Sequence, residues 1–184
     1  MSDEASILVS ASGKDRPGIV AAVTRVLYEV GANLEDSSMT RLEGEFAMLV
    51  IASVDPERLS HLRERFEALA RVLELCIHVK PLAAPSVTSP ADEPEEPYLI
   101  SLYGADRPGL VYRVANLLAL LGVNITDVVT HRSQAPGVDP LYQLVLEVEL
   151  PVGVTGERLN HSLGDLGREM GVEITAHPVE TVEL

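Results

Sequence analysis

The sequence predicts an α+β protein made of two copies of one βαββαβ module, each a four-stranded antiparallel sheet with two helices on one face. Three observations carry this expectation. Gly13-Lys14-Asp15-Arg16-Pro17-Gly18-Ile19-Val20 recurs as Gly104-Ala105-Asp106-Arg107-Pro108-Gly109-Leu110-Val111, 91 residues further on. Gly31-Ala32-Asn33-Leu34-Glu35-Asp36 recurs as Gly122-Val123-Asn124-Ile125-Thr126-Asp127 at the same offset of 91. Two motifs recurring in one order at one spacing mark a duplicated unit. Around them, stretches with strand and helix periodicity follow one another in the same order in both halves.

In the first copy, Ser6 to Ser12 contains the apolar run Ile7-Leu8-Val9 and reads as a buried strand. The motif then opens a helix whose stripe is Ile19, Val23, Val26 and Val30, widened by Val20 and Leu27. Pro17 suits a first helical position, and Asp15 can accept hydrogen bonds from the first-turn amides. Gly31 fits a helix C-terminus. Leu34 to Arg41 and Phe46 to Ser53 read as strands joined by the turn Leu42-Glu43-Gly44-Glu45. Asp55-Pro56 marks the cap and start of a second helix with apolar Leu59, Leu62, Phe66 and Leu69. Leu73, Leu75, Ile77 and Val79 alternate with polar residues in a last strand.

Pro81 to Pro97 holds five prolines and four acidic residues and reads as an extended, fairly stiff linker. The second copy repeats the order. Tyr98 to Leu102 is a strand, and Leu110, Val114, Leu117 and Leu121 stripe a helix ending at Gly122. Ile125 to Arg132 and Leu141 to Leu150 are strands around a turn centred on Pro136-Gly137. Leu159, Leu163, Leu166 and Met170 stripe a second helix that Gly164 and Gly167 weaken, and Val172, Ile174 and Ala176 close the sheet. The expected domains are residues 5–80 and 97–183, joined by a linker over 81–96. One face of each sheet and its edges stay open, so the modules are expected to pair with pseudo-twofold symmetry, in one chain or as a homodimer.

Composition narrows the function. Hydrophobic residues make up 46% of the chain, with no Trp, so the cores rest on Leu, Val, Ile and Ala. One cysteine, Cys76, allows no internal disulfide and suits a reducing compartment. No signal peptide or stretch of membrane-spanning length is visible, and a cytoplasmic location is expected. The five histidines show no metal-ligand spacing, and His78 and His177 read as surface residues on their final strands. Cys76 and His78 lack the supporting group and cleft of a nucleophilic site. Arg58, Arg63, Arg65 and Arg71 interleave with glutamates on a solvated helix face. No catalytic residue, metal or cofactor is expected.

The strand-to-helix turn ends in Pro-Gly, and the helix after it ends in Gly with an Asn two residues on. In this the sequence resembles the ACT domain, over roughly residues 5–80 and 97–183. A chain made of two such domains, each with Gly-x-Asp-Arg-Pro-Gly, resembles the glycine cleavage system transcriptional repressor family. The resemblance implies ferredoxin-like modules that bind a small amino acid, glycine or serine, where two domains meet. It places ligand contacts at Asp15, Arg16, Pro17, Gly18 and Asn33, and at Asp106, Arg107, Pro108, Gly109 and Asn124. Read from the residues alone, Asp15 and Asp106 fit helix capping as well as a site, and Asn33 and Asn124 fit turn positions. Some serine-binding relatives carry Asn where this chain has Asp15 and Asp106, and an acidic side chain there favours an ammonium group. The implied role is regulatory and non-catalytic: control of glycine or one-carbon genes through a protein partner such as a DNA-binding activator. A separate regulatory subunit of an amino-acid metabolic enzyme, or a structural pairing module without ligand, are the alternatives.

The formal charge is −14, divided as −4 over residues 1–80, −4 over 81–97 and −6 over 98–184. Binding to nucleic acid depends on Lys and Arg neutralising phosphates, and no segment here is basic. The purified protein alone is therefore expected to leave promoter DNA unshifted in a gel at physiological salt; a specific shift contradicts a partner-mediated mechanism.

Overall fold

The apolar run Ile7-Leu8-Val9, flanked by Ser and Ala, makes the first strand, β1 (Ala5–Lys14). Its Ile7, Val9 and Ala11 are buried, while Leu8 and Ser10 on the other face are half-buried. The computed structural model describes residues 4–83, 96–133 and 140–179. These form two units, and each is a complete module.

In the first unit, β1 is followed by α1 (Ile19–Val30), β2 (Asn33–Leu42), β3 (Glu45–Val54), a single 3₁₀ turn at Pro56–Arg58, α2 (Leu59–Leu73) and β4 (Cys76–Pro81). The sheet order is β2-β3-β1-β4, and every neighbouring pair is antiparallel. The second unit has β5 (Glu96–Ala105), α3 (Leu110–Leu120), β6 (Asn124–Ser133), β7 (Leu141–Leu150), α4 (Gly156–Met170) and β8 (Glu173–Pro178), with sheet order β6-β7-β5-β8. This is the expected α+β fold with two helices on one face of each sheet. Of the expected linker, Pro81 closes β4 and Glu96 opens β5, while residues 84–95 lie outside the described residues. So do the Pro136-Gly137 turn and the chain beyond Val179.

Each unit has its own core. In the first, Ile19, Val23, Val26, Leu27 and Val30 of α1 meet Leu62 and Phe66 of α2 over Val9, Met48 and Val50. In the second, Leu110, Val114 and Leu118 of α3 and Leu159 and Leu163 of α4 cover Ile100, Leu102, Leu144 and Leu146. The helices shield the middle of each sheet and leave one edge bare. All ten residues of β2 are exposed, and nine of the ten in β6. Both strands carry a register shift near the start, between Leu34 and Asp36 and between Ile125 and Asp127.

Several local expectations change. Val20 is 40% exposed and lies outside the buried stripe of α1, because Leu27 and Val23 already fill the sheet-facing arc. Asp55 does cap, but it caps the 3₁₀ turn, where its Oδ1 accepts from the Glu57 amide at 3.0 Å. Leu73 ends α2 instead of opening the last strand, since Glu74 takes a left-handed conformation at φ 50°. The glycines of α4 do not break it. Gly167 instead lets β8 come close, as a Cβ there would sit 2.8 Å from the Val172 carbonyl oxygen. Among the described residues no helix is long and apolar enough to cross a membrane.

Leu62 and Leu159 occupy matching places and are each 0% exposed. Leu62→Ala and Leu159→Ala are each expected to cost about 2–5 kcal/mol, read from the denaturant midpoint. Val20→Ala should stay within about 0.5 kcal/mol. Equal losses at all three positions contradict the assignment of the core.

Candidate functional site

Where β1 ends, the chain must pass close to the loop after α2, and Gly13 makes room. A Cβ at Gly13 would lie 2.8 Å from Leu75 Cδ2, and one at the matching Gly104 would lie 2.5 Å from Val172 Cγ1. The backbone then turns sharply. Gly18 has φ 94° and Gly109 φ 92°, a region that L side chains rarely enter. Each of these glycines, and not the preceding proline, is the N-cap, so Pro17 does not occupy the first helical position and neither aspartate caps a helix.

The aspartates instead bind across the sheet. The Asp15 amide donates to the Gly44 carbonyl at 2.8 Å, and the Asp106 amide to Pro140 at 2.9 Å. The Asp15 carboxylate pairs with Arg41 of β2 at 3.3 Å, and the Asp106 carboxylate with Arg132 of β6 at 2.7 Å. Arg41 and Arg132 are again 91 residues apart, so the repeat offset alone could have found them. Arg16 and Arg107 turn the other way. The Arg16 guanidinium donates to the carbonyl of Leu73, the last residue of α2, and Arg107 to that of Met170, the last residue of α4, at 3.4 Å. A cation suits unpaired carbonyls at the negative end of a helix.

Among the described residues, nothing covers the helix N-termini. The Ala22 amide reaches the Gly18 carbonyl at 2.9 Å and the Arg113 amide reaches Gly109 at 3.0 Å, but no side chain caps either helix and no acidic residue stands in either first turn. A Cβ at Gly18 or Gly109 would meet nothing within 4 Å. Free amides, the positive helix end and open space together suit a carboxylate.

The two asparagines stand elsewhere. Asn33 lies opposite Ser53, which lies opposite Ser6, at the start of β1. Asp15 is nine residues further along that strand direction, about 30 Å away at the rise of an extended chain. Asn124, opposite Glu149 and Pro97, stands equally far from Asp106. One module therefore does not bring its own turn and its own asparagine together. The copies differ here too: Asn124 donates to Glu149 Oε2 at 3.0 Å, whereas Ser53 faces Asn33. Cys76, His78 and His177 are exposed on edge strands, and no cluster of three His, Cys, Asp or Glu able to hold a metal occurs among the described residues.

The ACT domain family model matches residues 5–80 and 96–177. A UPF0237 protein of Streptococcus pneumoniae is 35% identical over 77 residues, which is 41% of this chain and 88% of the relative. The glycine cleavage system transcriptional repressor of Escherichia coli is 28% identical over 136 residues, 73% of this chain and 69% of the relative. A crystal structure of a protein from Galdieria sulphuraria superposes with a TM-score of 0.82 at 28% identity, covering 97% of this chain and all of that one.

If the positive φ alone demands glycine, side-chain volume should not matter at position 18. Gly18→Ala is expected to cost about 1–3 kcal/mol in chemical unfolding. Gly18→Asn, though larger, should cost less, because asparagine tolerates the left-handed region better. A greater loss for the asparagine variant means that contact, not conformation, fixes the glycine.

Proposed function

The chain belongs to the ACT domain family, and from that premise we propose that it is a non-catalytic regulatory protein that senses a small amino acid and signals through protein contacts. The observation that carries this reading is the uncapped helix N-terminus beside an arginine-paired aspartate, present in both modules. A free amino acid presents a carboxylate and an ammonium a short distance apart. Its carboxylate takes the amides after Gly18 or Gly109, and its ammonium shares Asp15 or Asp106 with the exposed Arg41 or Arg132. Glycine and serine suit the open space over the glycine.

With some 30 Å between turn and asparagine in a module, no single module completes such a site by itself. Relationship to the E. coli repressor supports transcriptional control of the glycine cleavage system, and one-carbon genes and a cytoplasmic location belong to the same proposal. A net charge of −14 supports a route through a DNA-binding protein in place of DNA contact. The Asn124–Glu149 hydrogen bond favours inequality of the two sites, because Glu149 both occupies the carboxamide and repels a ligand carboxylate.

Calorimetry with a panel of amino acids tests the reading. Glycine or serine should bind, and Asn33→Ala should weaken binding by about 1.5–3 kcal/mol, the size of a hydrogen bond to a charged group. Asn124→Ala should weaken it less. Both asparagines are exposed, so both variants should keep the wild-type fold. Binding unchanged in both variants removes the asparagines from the site, and a wild type that binds no amino acid leaves structural pairing in place of sensing.

A further inference from the structure

The outer edge of the sheet is sealed in the second module and unsealed in the first. Among the described residues, the last strand of each unit, β4 or β8, pairs with one neighbour only, β1 or β5. Antiparallel ladders alternate, so every second residue of an edge strand turns its amide and carbonyl outward. The Leu82 amide donates to Ser6 at 2.8 Å, which fixes the phase so that Ile77 and Val79 face outward. The Val179 amide donates to Pro97 at 2.9 Å, and the same phase puts Ala176 outward. Asn160 of α4 occupies both groups of Ala176. Its Nδ2 donates to the Ala176 carbonyl at 3.0 Å, and its Oδ1 accepts from the Ala176 amide at 3.1 Å. One carboxamide thus takes the place of one residue of an added strand.

Asn160 is the fifth residue of α4 and Ala176 the fourth of β8. The same places in the first module hold Arg63 in α2 and Val79 in β4. Arg63 makes no hydrogen bond or ion pair among the described residues, and a groove of about 330 Å³ lies between it and the strand, with Phe66, Glu67, Ile77 and Val79 in its walls. Pro81, also in outward phase, has no amide to offer and ends the usable edge. Arg63 beside the groove and the exposed Lys80 of β4 put two fixed cations at this edge beside Glu67, in a chain of net charge −14.

We propose that the β4 edge is a docking site for an extended acidic segment of a partner protein, which adds a strand along Ile77 and Val79 and places a carboxylate on Arg63. The backbone supplies the pairing, as in other cases of strand addition, and Arg63 supplies the preference for acid. The site lies apart from the turn at Gly18 and does not depend on a bound amino acid.

A fluorescent peptide of sequence Glu-Val-Glu-Val-Glu-Val-Glu, blocked at both ends, provides the probe, with anisotropy measured on the full chain. It should bind the wild type, and its Lys-Val-Lys-Val-Lys-Val-Lys counterpart should bind at least tenfold more weakly. Arg63→Asn rebuilds the seal of the second module and should lower affinity for the acidic peptide at least tenfold. Alternate backbone N-methylation of the peptide should do the same by removing its donors. The proposal is overturned if the acidic peptide does not bind, or if it binds Arg63→Asn or survives N-methylation unchanged. It is also overturned if the wild type sediments as a dimer that Arg63→Asn converts to monomer, because a second copy then covers the edge.

Discussion

The left-handed glycine that starts each first helix is the constraint from which the rest of a module follows. Because Gly18 and Gly109 complete a turn that no L side chain enters easily, the charged residues before them are carried away from the helix axis in two directions. Asp15 goes to Arg41 of the outer strand, and Arg16 goes to the end of α2. One short turn thereby ties together β1, the β2–β3 hairpin and both helices. The second module makes the same ties with Asp106, Arg132 and Arg107. Each ion pair joins an exposed arginine to a half-buried aspartate and is worth little alone. Their weight lies in fixing which way the turn faces, so that the helix amides remain uncovered.

That arrangement sets a limit on what one module can bind. The positive helix end and the aspartate stand at one end of the sheet, the asparagine at the other. In the proposed reading, a module of this shape carries both parts of a site and brings them together in neither copy. The duplication of the chain supplies two of each, yet the copies are not interchangeable, since Glu149 stands beside Asn124 where Ser53 stands beside Asn33. The edge strands show the same divergence, with Asn160 in one copy and Arg63 in the other. After duplication the cores stayed alike while the surface groups that face outward from them separated.

The fold was legible because it rests on periodicity, and every strand and helix except the exposed β2 and β6 answers to an apolar pattern that burial then explains. Alternation at Ile7, Val9 and Ala11, and the spacing of Ile19, Val23, Val26 and Val30, are direct records of which face is covered. Element ends were less legible. A proline shortly after an aspartate looks like a helix start, and only the backbone angle at Gly18 shows that the helix begins two residues later, at Ile19. The candidate residues were named by motif, but their partners were not: Arg41 and Arg132 lie in exposed strands with no burial pattern to single them out, although the repeat offset connects them. The distance between Asp15 and Asn33 follows from strand direction, which the βαββαβ order already contains. The carboxamide seal at Ala176 was not legible, because it depends on the phase of a hydrogen-bond ladder that leaves no trace in composition.

The bareness of β2 bears on how the first module comes apart. A strand held on one side only, with all ten residues exposed, gives up little apolar burial when it separates from β3. Its amides are therefore expected to exchange with solvent through openings far cheaper than unfolding of the whole module, while those of β1 require the full transition. Arg41 rides on this least protected strand. The pairing of Asp15 with Arg41 is thus coupled to a local folding equilibrium, so the charge at the turn varies with the fraying of an edge.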